Sequence, residues 1–526
     1  MKIGLFLSRC DGQLEQSLNL TALAQLFVGE GMTQVVDGFQ NSKDIVSILK
    51  TVRDEKLEGI ILAGNSPEEF KTSRQGELLA DLLQDAGVNP NRIAYVNLKD
   101  QVARVHGPNT ATQQKAELLI EVGFTRVKLA HDMQVSRVSP RKAVAILGTN
   151  IEAYLVAEQL LRRNIRVFLI GQQPAGKEET PSVLQGVKAF VELNPKAQLL
   201  EDYRLTDLYG WTGDFSLLLR KDSKELTIDV GALLVADNSN AEHIGELRPI
   251  LHIETGDDGL FVPVSKETKE VYSIEEGIFL IPAGFANNLS GQVALADAAA
   301  MAIINLLEEP EILHKNVVSE VDREKCGGCG TCVKTCSFKA SAIDPRDRVS
   351  LIDAKRCKGC GNCVTSCPTG ARDLLTYPQK YLLQSIKILS QFGGNNEPKV
   401  LALLCEGCGY KAMDEAGHQN QNYAPNILPL GVRCGGNIDT QLILEAFVHG
   451  FDGITICKCA EGYCRNIVGN TDLDRRANLF REILRSRGID DDKLRIVETA
   501  RLGDNQCINT IMELLEEIKT AGGDRV

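Results

Sequence analysis

At 526 residues the chain has room for three or more domains of ordinary size, and 43% hydrophobic with 24% charged residues fits a soluble globular protein with real cores. A formal net charge of -12 argues against nucleic acid as a partner. No run of about eighteen apolar residues is present, which argues against a membrane span but leaves docking to a membrane protein open.

Residues 1–7 read as a first strand and not as a signal peptide. Over 1–135, short apolar strands at 2–7, 59–62 and 92–96 alternate with helical patterns at 42–55 and 73–86, the second closed by Gly87. This predicts a three-layer α/β domain for docking or scaffolding, with no constellation of catalytic groups.

Residues 136–310 predict a degenerate Rossmann-like, FAD-type domain. A strand at 142–147, a helix at 151–163 and a strand at 165–170 form its β-α-β unit. The turn between reads Gly148-Thr149-Asn150-Ile151-Glu152-Ala153. A dinucleotide fingerprint is Gly-x-Gly-x-x-Gly/Ala, so Gly148 and Ala153 fit and Asn150 does not. The middle glycine lets backbone approach a pyrophosphate, and a side chain obstructs it. The acid expected after the second strand is replaced by Gly171. A bound flavin is therefore not expected. Strands at 228–236 and 277–282, the latter leading into Ala283-Gly284-Phe285, and an alanine-rich helix at 289–307 complete this domain.

Of 16 cysteines, all but Cys10 fall between Cys326 and Cys507. That crowding points to metal chemistry in a reducing, cytoplasmic compartment and not to disulfides. Residues 311–376 carry Cys326-x2-Cys329-x2-Cys332-x3-Cys336 and then Cys357-x2-Cys360-x2-Cys363-x3-Cys367-Pro368. This doubled spacing is the ligand pattern of a bacterial ferredoxin with two [4Fe–4S] clusters, in which the fourth cysteine of each run serves the other cluster. It assigns Cys326, Cys329, Cys332 and Cys367 to one cluster, and Cys357, Cys360, Cys363 and Cys336 to the second. Zinc knuckles want ligands in pairs and fit poorly. One departure is Ser337, where the pattern has proline.

A helix and linker occupy 377–397, with a break at Gly393-Gly394-Asn395-Asn396. Residues 398–526 predict a second α/β domain. Strands at 399–404, 426–432 and 453–457 lead to Cys405-x2-Cys408, Cys434 and Cys459-x4-Cys464, at the carboxyl ends where open α/β sheets place their sites. A [2Fe–2S] centre needs four thiolates, so four of these five cysteines are expected to hold one. Glycines 407, 409, 435, 436 and 462 leave room there. Cys457 is the expected spare. Asp472 is expected to cap a helix at 473–487.

The order of modules resembles the flavin- and cluster-bearing A chain of heterodisulfide reductase, and the carboxyl-terminal domain resembles the delta, iron–sulfur subunit of methyl-viologen-reducing hydrogenase. The same fusion is similar to the B subunit of the quinone-interacting membrane-bound oxidoreductase. The resemblance implies partner subunits of such complexes, including a flavoprotein. It also implies a further cluster in the first domain and an intact flavin site, and the chain departs at both. Around Cys10 one cysteine remains, and Gly64-Asn65-Ser66-Pro67 stands where another belongs. The expected function is an iron–sulfur electron-transfer subunit without its own substrate site. The alternatives are an FAD flavoenzyme that splits or merges electron pairs, and a regulatory scaffold using its clusters as redox sensors, a reading that a free, exposed, low-pKa cysteine would favour, with Cys10 or Cys507 as the candidate.

Overall fold

Six buried residues in a row, Ile3–Ser8 (β1), form an interior strand of the first sheet, because parallel strands covered on both faces read as continuous apolar runs. In the computed structural model β1 pairs in parallel with β2 (Met32–Val36) and β3 (Gly59–Gly64), and β4 (Ile93–Asn97) extends the order to β2-β1-β3-β4. β2 has no apolar run to announce it, since it is a half-buried edge strand. Helices α1 (Leu20–Leu26), α2 (Ser42–Glu55), α3 (Pro67–Thr72), α4 (Arg74–Asp85) and α5 (Thr110–Leu129) accompany this sheet. In α2 the Asn41 side chain caps the first turn, and Ile45, Ile48, Leu49 and Val52 make the buried stripe. The structure describes residues 1–526 except 172–181, 254, 257, 264–270, 274, 283–287, 316, 394–396, 461–463, 465, 489, 500–504 and 521–526. The expectations on Ala283-Gly284-Phe285 and Gly462 lie outside the described residues.

Residues 135–316 are a separate unit. After β5 (Val135–Val138), its main sheet takes β6 (Ala143–Leu147), α6 (Ile151–Arg162), β7 (Arg166–Gly171), α7 (Ser182–Leu193) and β8 (Ala197–Glu201). An antiparallel meander of β9 (Arg204–Trp211), β10 (Asp214–Lys221) and β11 (Lys224–Val230) follows. β12 (Ala232–Val235), α8 (Ala241–Leu251) and β13 (Ile278–Leu280) return to the main sheet, giving the parallel order β13-β12-β6-β7-β8 of a Rossmann-like fold. The single strand expected at 228–236 is thus two strands in two sheets. They part at Gly231, where a Cβ would stand 2.6 Å from Leu307 Cδ2. The helix α9 (Leu289–Glu308) is, among the described residues, the one helix long and apolar enough to cross a membrane by length and composition. Its Ala296, Ala299, Ala300 and Ile303 are fully buried in the core of this unit. β14 (Ile312–Lys315) pairs with β5 and holds the residues just past 310 to this unit.

Residues 1–134 and 317–526 form the other unit. Its middle is a small module of two antiparallel ribbons and two short helices. Its elements are β15 (Ser319–Val321), α10 (Thr331–Thr335), β16 (Ser341–Ile343), β17 (Ser350–Ile352), α11 (Asn362–Thr365) and β18 (Arg372–Leu374), with β15 on β18 and β16 on β17. The helix α12 (Gln379–Leu389) follows, with Leu382, Ile386 and Leu389 fully buried. The last domain runs β19 (Val400–Cys405), α13 (Gly409–His418), β20 (Ile427–Val432), α14 (Thr440–Val448), β21 (Gly453–Cys459), α15 (Gly469–Ser486), β22 (Leu494–Thr499), α16 (Gln506–Thr520). Its sheet is parallel in the order β20-β19-β21-β22. The helix expected to start behind an Asp472 cap starts one turn earlier, at Gly469, and Asp472 lies inside its first turn. One apolar core runs from Phe124 of α5 through Leu389 of α12 to Leu401 and Leu403 of β19, which is why distant segments share a unit.

Candidate metal centres

The ferredoxin-like module holds two cavities. One is lined by Cys336, Cys357, Cys360 and Cys363. The other is lined by Cys326, Cys329, Cys332 and Cys367. Each cavity takes three thiols from one tight loop and the fourth from the other run, the arrangement a cubane cluster requires. Backbone and hydroxyl groups already address the sulfurs. The Ala340 N–H donates to Cys336 Sγ at 3.3 Å, and the Ser350 N–H to Cys326 Sγ at 3.4 Å. The Ser350 hydroxyl lies 3.2 Å from Cys332 Sγ and the Thr331 hydroxyl 3.3 Å from Cys329 Sγ. Such N–H···S and O–H···S contacts orient ligands and tune a bound cluster. Four convergent thiols with these partners fit a four-iron cluster, and they leave none of the paired geometry of a zinc knuckle.

The two cavities differ in environment. Burial pushes the Cys363 thiol up to about 11 and raises Cys357 and Cys360 as well. Cys329 is exposed, and the Thr331 hydroxyl lowers its pKa. Thiols held neutral by burial become ligands only when a cation replaces their protons.

The second thiol group lies at the carboxyl edge of the last sheet. The sulfurs of Cys405, Cys408 and Cys459 lie within 4.8 Å of one another, with Cys405 and Cys459 at 3.9 Å. Cys434 and Cys464 adjoin these three sulfurs without joining the same 4.8 Å group, Cys434 beside Cys405 and Cys464 beside Cys459. Hydrogen bonding to Cys405 and Cys464, with burial, holds Cys434 far above the ordinary thiol range, while bonds from Cys434 and Cys459 pull Cys464 down. Sulfurs this crowded cannot ionise together without a cation among them, so the donor set fits a metal cluster.

Sequence reasoning passed over Gly469. A Cβ there would collide with Cys434 Sγ and stand 3.5 Å from Cys464 Sγ, so the start of α15 is pressed onto the thiols. The positive end of a helix beside them favours thiolate. The only sign of this in the sequence is a glycine opening a helix that has no side-chain cap.

Cys457 is not free. It is bonded to Cys507 on α16, both fully buried, against the expectation that the cysteines form no disulfides. Cys10 is also buried. Its Sγ meets Ser8 Oγ and Asn65 Oδ1, each at 3.4 Å, and burial pushes its thiol up to about 11. Neither Cys10, which is buried, nor Cys507, which is bonded to Cys457, is the free, exposed thiol that would have favoured a redox-sensing scaffold. The edge of the first sheet near Cys10 is covered by α13. There, Asp414 accepts hydrogen bonds from Ser66 Oγ at 2.5 Å, Asn97 Nδ2 at 2.9 Å and Gln101 Nε2 at 2.7 Å.

In the Rossmann-like unit, Asn150 occupies the turn where a pyrophosphate would rest. Its Oδ1 accepts from the Ala153 N–H at 3.1 Å and its Nδ2 donates to the Ala236 carbonyl at 2.9 Å. The side chain uses a helix N-terminal donor that a phosphate would otherwise take, and ties the turn to the end of β12.

Two ferredoxin-type thiol cavities and a thiol-rich α/β domain in one unit define an iron–sulfur protein. A family model of the delta subunit of methyl-viologen-reducing hydrogenase matches residues 400–522, and one of the 4Fe–4S dicluster domain matches residues 325–371. Over 482 residues the chain is 29% identical to the A chain of a ferredoxin:CoB-CoM heterodisulfide reductase of Methanosarcina mazei, covering 89% of this chain and 58% of that relative. Over 100 residues it is 32% identical to the iron–sulfur D chain of an F420-non-reducing hydrogenase of Archaeoglobus profundus, covering 19% of this chain and 73% of that one. A thioredoxin reductase of Lactococcus lactis overlays with a TM-score of 0.17 at 11% identity, covering 59% of this chain and 99% of that one, too low a score to define a shared fold. The carboxyl-terminal domain belongs to the hydrogenase delta-subunit family, and the chain as a whole is similar to heterodisulfide reductase A chains. It spans a little over half the length of the Methanosarcina mazei relative.

Proposed function

We propose that the chain is an electron-transfer subunit of a heterodisulfide-reductase-like oxidoreductase complex. In this reading it carries two [4Fe–4S] clusters, one on Cys326, Cys329, Cys332 and Cys367 and one on Cys357, Cys360, Cys363 and Cys336. It carries one [2Fe–2S] cluster on four of Cys405, Cys408, Cys434, Cys459 and Cys464. The observation that supports it is the contact between the loop bearing Cys360 and the loop bearing Cys434. The Thr365 hydroxyl donates to the Gly436 carbonyl at 3.0 Å, and a Cβ on Gly436 would stand 3.0 Å from the Cys360 carbonyl. Bound clusters would supply one-electron carriers at these places. The chain's own residues fix their spacing, exclude water from the inner cavity and set potentials by burial and N–H···S contacts. The Cys336/Cys357/Cys360/Cys363 site is then the inner one, facing the carboxyl-terminal domain, and the site that includes exposed Cys329 is the outer one.

The Asn150 bridge supports a Rossmann-like unit kept as a platform, with the working flavin on a partner flavoprotein. Partner subunits of this kind, with docking to a membrane protein in a quinone-interacting complex, are part of the same proposal, as is a cytoplasmic location. Native purification with identification of the bound partners, followed by acid extraction of flavin from the separated chain, tests it. Substoichiometric FAD and a separate flavoprotein partner are expected. One tightly bound FAD per chain would overturn the platform reading.

A further inference from the structure

Between the two ferredoxin-type cavities lies a cation that meets no carboxylate among the described residues. Arg372, on β18, is 3% exposed. Its Nη2 donates to Ser341 Oγ at 3.2 Å and to Ser350 Oγ at 2.5 Å. Ser341 lines the cavity of Cys336, Cys357, Cys360 and Cys363, while Ser350 and Arg372 itself line the other. The two serines thus stretch the guanidinium from one four-thiol site to the other. Its Nε and Nη1 are buried and meet no acceptor among the described residues, and no carboxylate pairs with it there. A buried guanidinium is costly unless its charge and its donors are answered. The positive charge also reaches Cys357 and Cys363, where it favours thiolate.

We propose that Arg372 is a positioning residue for both ferredoxin-type centres, with the two clusters as its missing counterions and its spare N–H groups directed at their sulfurs. This rests on the cluster reading above. Cluster potential depends on net charge and on hydrogen bonds to sulfur. Each cluster gains negative charge on reduction, so a fixed buried cation favours the reduced form of both. Loss of the cation moves both potentials down together. A residue that only staples the two ribbons would not do this.

The test is a redox titration of the full-length, anaerobically prepared chain followed by electron paramagnetic resonance, with iron counted in the same samples. In Arg372→Gln, both four-iron centres are expected to be at least tenfold less reduced at a fixed potential, which is about 59 mV for a one-electron couple. Arg372→Lys, which keeps the charge, is expected to recover most of that change. Unchanged potentials in the Gln variant, or equal shifts in Gln and Lys, overturn the proposal. A variant that loses its iron would leave the wild type to decide. With guanidino-15N arginine, its reduced clusters should show nitrogen modulation in pulsed resonance, and absence of that modulation overturns the proposal. Absence of both four-iron centres from the wild type sinks the cluster reading itself, a different outcome.

Discussion

Gly361 and Asn437 stand so close that a Cβ on Gly361 would lie 2.6 Å from the Asn437 Cβ. Gly361 has φ +87, a conformation that glycine adopts without the cost an L side chain incurs. It follows Cys360 directly, and Asn437 closes the turn opened by Cys434. Two cysteine-bearing loops from different domains therefore meet closely, with the Asn437 side chain packed onto Gly361 and the Asn362 side chain onto Gly436. Gly361→Ala is expected to destabilise the chain by about 1–3 kcal/mol through overpacking and to push the loops apart. Freeze-quenched resonance after mixing with a reductant should show the carboxyl-terminal and ferredoxin-type centres filling together in the wild type and in separate phases in the variant. Identical phases in both proteins would mean that this contact does not set the path.

Gly469→Ala places a methyl group against Cys434 Sγ. The variant is expected to lose or distort the two-iron signal and to keep the four-iron signals, since Gly469 touches neither ferredoxin-type cavity. Intact signals of both kinds would contradict the close approach of α15 to the thiols.

Cys457 and Cys507 are bonded to each other within the core shared by β21 and α16. Cys457→Ser is therefore expected to spare the two-iron signal while lowering the unfolding midpoint. Single serine changes at Cys405, Cys408, Cys434, Cys459 and Cys464 should alter it in four cases and spare it in one. Loss of the signal in Cys457→Ser at normal stability would contradict the assignment.

Much of this was legible in the residues. The doubled cysteine spacing led directly to two four-thiol groupings, because loop spacing is set locally by chain geometry. The three cysteine-bearing strands were legible as apolar runs, and parallel register brings their ends to one edge. Edge strand β2, the break at Gly231 and the early start of α15 were not legible, because each is decided by contacts with residues far along the chain. The same holds for Asp414, which reads as one polar position on a helix until the first domain is packed over it. Arg372 follows a cysteine run and gives no sign in sequence that both its neighbours are thiol cavities.

Asp414 gives a pH prediction. Burial pushes its carboxyl up from 3.8 to about 7, against hydrogen bonds from Ser66, Gln101 and Asn97 that favour the charged form. The folded chain then keeps this proton to higher pH than the unfolded chain does. Its contribution to stability is full below the ordinary carboxylate range and is lost as pH rises through about 7. Within that window the slope is up to about 1.4 kcal/mol per pH unit. The unfolding midpoint of the wild type should fall between about pH 4 and about pH 7 and level off above that, and Asp414→Asn should flatten that fall. An equal slope in both proteins would place the proton elsewhere.

The most direct test of the central claim is the metal content of the full-length chain purified without oxygen. Iron and sulfide analysis with Mössbauer spectroscopy and electron paramagnetic resonance should find about ten iron and about ten sulfide per chain, as two four-iron centres and one two-iron centre. Bound zinc, a single four-iron centre, or the absence of a two-iron signal at every potential would contradict it.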